Sequence, residues 1–158
     1  MLIGALDNQS MAPLNLFSSL SKLSSCDIGA GERKMASGHC LCGQLKFQSE
    51  GEPEWVVYCH CASCRRHTGS PVTCFVNFKS GKVTFSGDRS TFASSPGVTR
   101  SFCAQCGTPV AYETSTRSDE IDLYLNVFDE PAAFTPQKHV YFDEHIPWFD
   151  VRDDLPRE

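Results

Sequence analysis

Seven of the chain's nine cysteines fall into three short groups: Cys40-Leu-Cys42, Cys59-His-Cys61-Ala-Ser-Cys64 and Cys103-Ala-Gln-Cys106. That spacing constrains the fold more than any other feature. An odd total with no secretory leader argues against a disulfide scaffold, and thiols clustered at such short intervals in a reducing compartment are metal ligands more often than bridges. Cys-x-x-Cys followed by Gly107 is a zinc-knuckle shape, and Cys40-x-Cys42-Gly43 can turn in the same way at the end of a strand. Neither half satisfies a tetrahedral ion alone. Together they supply four sulfurs and tie the start of the domain to a segment some 60 residues further on.

The middle group is then left with three thiols. In a tight Cys-x-Cys-x-x-Cys loop, Cys59, Cys61 and Cys64 can all reach one metal at about 2.3 Å. Three protein ligands with a vacant fourth position is the pattern of a catalytic or substrate-binding zinc. His60 or His67 could close the site as Cys₃His, although His60, lying between two ligands, is expected to point away. The spacings match no common iron–sulfur pattern, and the βαβ context of a redox Cys-x-x-Cys is missing. Cys26 and Cys74 read as bystanders.

The rest of the chain reads as a mostly β domain with few or no long helices. QLKFQSE alternates, with Leu45 and Phe47 on one face. EWVVYC, TCFVNF, KVTFSG, GVTRSFC, TPVAYET and IDLYLNVF are further short, β-branched or aromatic runs bounded by turn residues. Trp55, Phe75, Phe85, Phe102 and Tyr124 are the expected core side chains. CASCRRHTG can be one helical turn or a loop. Residues 1–36 are Ser- and Gly-rich and read as a poorly ordered extension, with a short amphipathic stretch at Leu14, Phe17, Leu20 and Leu23; Met35 is an alternative natural start. Residues 37–158 form the domain.

Apolar content is an ordinary 41 %, and no apolar run approaches the roughly 20 residues that span a bilayer, so no membrane role is expected. The net charge is −5, and it is unevenly placed. Residues 118–158 hold eleven Asp and Glu against three Lys and Arg, a tail that repels nucleic-acid phosphate. A cytoplasmic location is expected from the reduced cysteines.

At GHCLCGQLKF, YCHCASCRRHTGSP, SSPGVTRSFCAQCGTPVAY and HVYFDEHIPWFDVRDDLP the chain resembles the glutathione-dependent formaldehyde-activating enzymes, whose relatives include centromere protein V. The pieces run in family order from Gly38 to Pro156. The resemblance implies an Mss4-like fold of packed, zinc-stabilised β-sheets and two zinc ions per chain. One is structural, at Cys40, Cys42, Cys103 and Cys106; the other, labile and catalytic, is at Cys59, Cys61 and Cys64 and associated with glutathione. The implied reaction joins glutathione and formaldehyde into S-(hydroxymethyl)glutathione, a carbon–sulfur lyase activity in reverse. The alternative is a zinc-stabilised thiol-binding module without turnover. Glutathione's carboxylates call for cations, and Arg65 and Arg66 are the substrate-contact candidates, with Arg100 before the last knuckle as another. Residues 1–34 carry no net charge, which disfavours a polymer-binding role of the centromere-protein kind.

Overall fold

The structure is a computed structural model that describes residues 34–158. The amphipathic stretch and Cys26 lie outside those residues. Two sheets form the fold. The smaller is antiparallel, in the order β1 (Met35–His39), β2 (Lys46–Glu50), β5 (Val83–Ser86). The larger has seven strands in the order β10 (Lys138–Val140), β3 (Trp55–Cys59), β4 (Thr73–Lys79), β9 (Glu120–Tyr124), β8 (Pro109–Thr114), β7 (Val98–Cys103), β6 (Arg89–Ser95). All its pairings are antiparallel except β10 on β3. The mostly β expectation is met. Among the described residues no helix is long and apolar enough to cross a membrane.

Alternation sets which face of each strand is buried. Leu45, Phe47 and Ser49 are buried while Lys46 and Gln48 between them are exposed. Phe47 of the small sheet meets Phe128 edge-on at 4.9 Å. Phe128 in turn packs on Phe134 at 4.6 Å and on Phe78 of β4 at 6.2 Å. Offset and edge-on aromatic pairs of this kind add to plain area burial. They join the two sheets in one hydrophobic core.

Several elements differ from expectation. Strand β1 already includes Met35 and Ala36, paired with Glu50 and Ser49, so the folded chain begins before residue 37. IDLYLNVF is a strand only to Tyr124, after which Leu125–Val127 turn as a 3₁₀ segment and bring Phe128 under the small sheet. CASCRRHTG forms a seven-residue helix, α1 (Ala62–Thr68), which stops at Gly69 in the left-handed region (φ 66°). Phe75 and Tyr124 are core residues, whereas Trp55, Phe85 and Phe102 are half-buried. Trp55 and Phe85 instead lie under the guanidinium groups of Arg117 and Arg89.

The C-terminal residues return to the sheet. The His139 amide donates to Pro156 O at 2.8 Å, and the Glu158 amide donates to His139 O at 2.9 Å. Arg157 thus lies beside His139 as a parallel bridge at the outer edge of β10.

Candidate metal centres

The first cluster is built from two matching turns. Cys40 follows the end of β1 and Cys103 ends β7, so each leading sulfur is carried by a strand. Gly43 and Gly107, each one residue past the second cysteine, both have φ of 74°. A side chain at this φ is strained, so glycine is the residue that lets the turn close. Their amides donate to Cys40 O and Cys103 O, each at 2.9 Å. The four sulfurs of Cys40, Cys42, Cys103 and Cys106 lie within 4.8 Å of one another, with Cys40–Cys42 at 3.4 Å and Cys42–Cys103 at 3.8 Å. A tetrahedron with Zn–S bonds of about 2.3 Å has edges of about 3.8 Å, so the spacing fits zinc. All four thiols are free, without a disulfide. The Leu45 amide points at Cys40 Sγ (3.3 Å). The Thr108 hydroxyl, then the Thr108 and Cys42 amides, hold Cys106 down at about 5. The site belongs to both sheets at once, since β1 is in one and β7 in the other.

The second cluster is local. Cys59 ends β3, Cys61 caps α1 and Cys64 lies on its first turn. The Cys64 amide donates to Cys61 Sγ at 3.3 Å. These three sulfurs also lie within 4.8 Å of one another. The Cys59 thiol, then the Cys64 thiol, donate to Cys61 and bring it down to about 2. Cys59 is pushed up by its hydrogen bonds to Cys61 and Cys64. A metal ion bound by the three sulfurs displaces the thiol protons they share.

Arg100 reaches this cluster from β7, on the far side of the sheet order. It is 4 % exposed. Its Nη2 and Nη1 approach Cys64 Sγ at 3.6 and 3.8 Å, Nη1 donates to the Tyr124 hydroxyl at 3.2 Å, and Nε donates to the Ser94 hydroxyl at 3.1 Å. Its guanidinium lies 5.0 Å from the Tyr112 ring centre. Among the described residues no carboxylate forms an ion pair with it. A buried cation without an ion partner is costly, so anionic sulfur is its natural counter-charge. Burial opposes its charge, yet Cys64 and Tyr124 hold it above the ordinary arginine value.

A cavity of about 340 Å³ opens onto the cluster, lined by Cys59, Cys61 and Cys64 together with Arg100, Tyr112 and Trp55. It is in the size range of small-molecule sites.

The model of the family described as glutathione-dependent formaldehyde-activating enzyme matches residues 35–144, which carry both clusters and Arg100. The chain belongs to that family. A Schizosaccharomyces pombe protein described as an uncharacterized lyase is 31 % identical over 102 residues, covering 63 % of this chain and 74 % of the relative. The crystal structure of a Rhodobacter sphaeroides protein aligns with a TM-score of 0.48 at 17 % identity, covering 59 % of this chain and 87 % of its own.

In this member of the formaldehyde-activating family the two arginines next to the cluster face elsewhere. Arg65 donates through Nε to His60 O at 2.9 Å and through Nη2 to Glu144 O at 3.0 Å, so its guanidinium is spent on backbone carbonyls. Arg66 is exposed, and neither residue lines the cavity. The Cys₃His alternative also fails to form. His60 Nε2 lies 2.7 Å from His139 Nδ1, the His67 ring sits 5.9 Å from the Tyr124 ring, and neither histidine joins the three sulfurs. Cys74 is pushed up to about 12 by burial and takes no part in either cluster. The residues that sequence reasoning missed, Trp55 and Tyr112 as cavity walls, carried only a strand signal.

Proposed function

We propose that the chain is a zinc-dependent carbon–sulfur lyase that joins or splits glutathione and formaldehyde, or a closely related thiol–aldehyde adduct. What carries the reading is the three-sulfur cluster lining a cavity together with a buried arginine. Cys40, Cys42, Cys103 and Cys106 would hold a structural zinc, and Cys59, Cys61 and Cys64 a second one. Zinc in the second site would supply the positive charge that deprotonates an incoming thiol, which is mostly protonated at neutral pH.

The chain's own groups account for the rest. Cys59, Cys61 and Cys64 would hold the ion as thiolates, and the cavity they line would give the substrate thiol access to it. Four thiolates around a dication are net negative, and Arg100 offsets one of those charges through Cys64. Tyr112 is pushed up, first by burial and then by Cys64, so it stays a neutral hydroxyl on the cavity wall. In the joining direction the thiol proton leaves to solvent and the sulfur pair forms the C–S bond. The C=O π pair moves to oxygen, which takes up a proton. In the splitting direction the hydroxyl loses its proton, C=O re-forms and the C–S pair returns to sulfur.

Formaldehyde–glutathione exchange followed by NMR tests the reading, using zinc-loaded native chain and Cys61→Ser. Exchange accelerated by the native chain alone supports it. No acceleration at a verified two zincs per chain removes the lyase and leaves a thiol-binding module.

A further inference from the structure

Behind the three-cysteine loop lies a buried row of side chains that the proposed chemistry does not use. His60, between Cys59 and Cys61, is 1 % exposed, and His139 of β10 is fully buried. His60 Nε2 and His139 Nδ1 are 2.7 Å apart. His139 Nε2 lies 3.1 Å from both carboxylate oxygens of Asp153. The His139 ring centroid lies 5.0 Å from those of both Tyr58 and His60, and both of those rings are nearly parallel to it. The direction of the chain follows from its end. The Asp153 carboxylate only accepts, so His139 Nε2–H donates to it; in the neutral ring His139 Nδ1 then accepts and His60 Nε2–H donates.

That leaves His60 Nδ1 as a buried ring nitrogen with no protein partner. The ring is held by the hydrogen bond on its other nitrogen. The peptide of His60 is fixed as well. Its amide donates to Val140 O at 3.0 Å and its carbonyl accepts from Arg65 Nε at 2.9 Å. Two residues further on, the Ala62 amide donates to Glu144 Oε2 at 2.7 Å. Asp153, Pro156 and Glu158 all lie beyond the family match, which ends at 144. The loop that carries Cys59 and Cys61 is therefore held directly by Val140, Glu144 and His139, and Asp153, beyond that match, holds His139.

We propose that Asp153, His139 and His60 form a positioning chain that fixes the Cys59–Cys61 loop and so sets the spacing of its three sulfurs for metal. This rests on reading that cluster as a metal site. None of the three residues touches the reacting atoms. Their effect passes through the loop. The chain requires an acceptor and a donor at position 139, a demand that hydrophobic filling cannot meet. Glutamine can meet it, with its carbonyl accepting from His60 and its amide donating to Asp153.

Cobalt(II) titration of the full chain, followed by thiolate-to-metal absorption, is the test. The native chain should take up two equivalents, the second lost in Cys61→Ser. Asp153→Ala and His139→Leu should each weaken the second equivalent about tenfold, the lower end of what outer-shell changes cost metal affinity, and leave the first unchanged. His139→Gln should restore native affinity to within about threefold on the same scale. Unchanged second-equivalent affinity in Asp153→Ala overturns the positioning chain while the metal site stands. Equal weakening of both equivalents, or His139→Gln behaving like His139→Leu, reduces these residues to ordinary packing and also overturns it. Uptake of a single equivalent by the native chain, unaltered by Cys61→Ser, instead overturns the metal reading and the chain with it.

Discussion

The two cysteine clusters use the same ligand chemistry in opposite ways. The four-sulfur cluster joins β1 of one sheet to β7 of the other, across 60 residues of intervening chain. The three-sulfur cluster sits within six residues, at the junction of β3 and α1. The first brings distant parts of the fold together, and its four sulfurs make a complete tetrahedral set. The second holds little together beyond its own loop, and it faces a cavity that contains a cation. Closure of a long loop gives a site a structural task. On the proposed function, an incomplete ligand set beside a cavity gives it a chemical one.

The sharpest way to break this comparison is to remove one sulfur from each cluster. Cys103→Ser should abolish the folded state at ambient temperature. Structural zinc contributes roughly 10 kcal/mol or more in small domains, which exceeds most of a domain's net stability; circular dichroism and a thermal scan of the zinc-loaded variant would show it. Arg100→Met in the zinc-loaded chain should come next, with about 3 kcal/mol lost, because the Cys64 sulfur it faces, deprotonated when metal is bound, is left buried without a counter-charge. Urea unfolding measures that loss, and a change under about 1 kcal/mol would mean that Arg100 does not answer the sulfur charge.

Cys61→Ser should stay folded, within about 1–2 kcal/mol of native, and bind one metal equivalent fewer by elemental analysis. If it unfolds as badly as Cys103→Ser, the division of labour between the clusters is wrong. Arg66→Ala should leave stability within about 0.5 kcal/mol, as for ordinary surface substitutions, and glutathione affinity unchanged by calorimetry.

The smallest effect is confined to acid pH. Burial works against ionisation of Asp153, but the hydrogen bond from His139, the Leu155 amide and the Arg157 charge together outweigh it and hold the carboxyl below its usual range. A carboxyl depressed in the folded state contributes stability that is fully present above the unfolded value of about 4 and is lost as pH falls through the folded value. Asp153→Asn should therefore flatten the stability–pH curve below about pH 4 and leave its slope at neutral pH unchanged. A slope identical to native at acid pH would detach Asp153 from His139.

Much of this was legible in the sequence because ligand spacing and strand alternation are local. Cys40-x-Cys42-Gly and Cys103-x-x-Cys106-Gly announce their turns, and Leu45 and Phe47 announce their face. What was hidden depends on pairing across the fold. Arg65 and Arg66 stand next to Cys64 in the chain, yet the helix directs Arg65 to backbone carbonyls, while Arg100 arrives from a strand 36 positions away. Strand β6, RSTFASS, is polar and mostly exposed, and β10 has three residues, so neither has enough apolar pattern to read. The contact between His60 and His139 spans 79 positions and left no local trace.

The return of the C-terminal residues to β10 has a consequence for self-association. The outermost strand of a sheet offers unpaired amides and carbonyls to any neighbouring chain, a hazard for aggregation. Here His139 already gives its outward amide to Pro156 and its carbonyl to the Glu158 amide. The β10 margin is thereby capped by the molecule's own tail, and a second chain cannot extend the sheet there without first peeling that tail away. At the opposite margin, β6 carries a register shift between Ala93 and Ser95, and such an irregularity twists a strand out of line with a flat partner. The sheet is guarded at one end by occupation and at the other by shape.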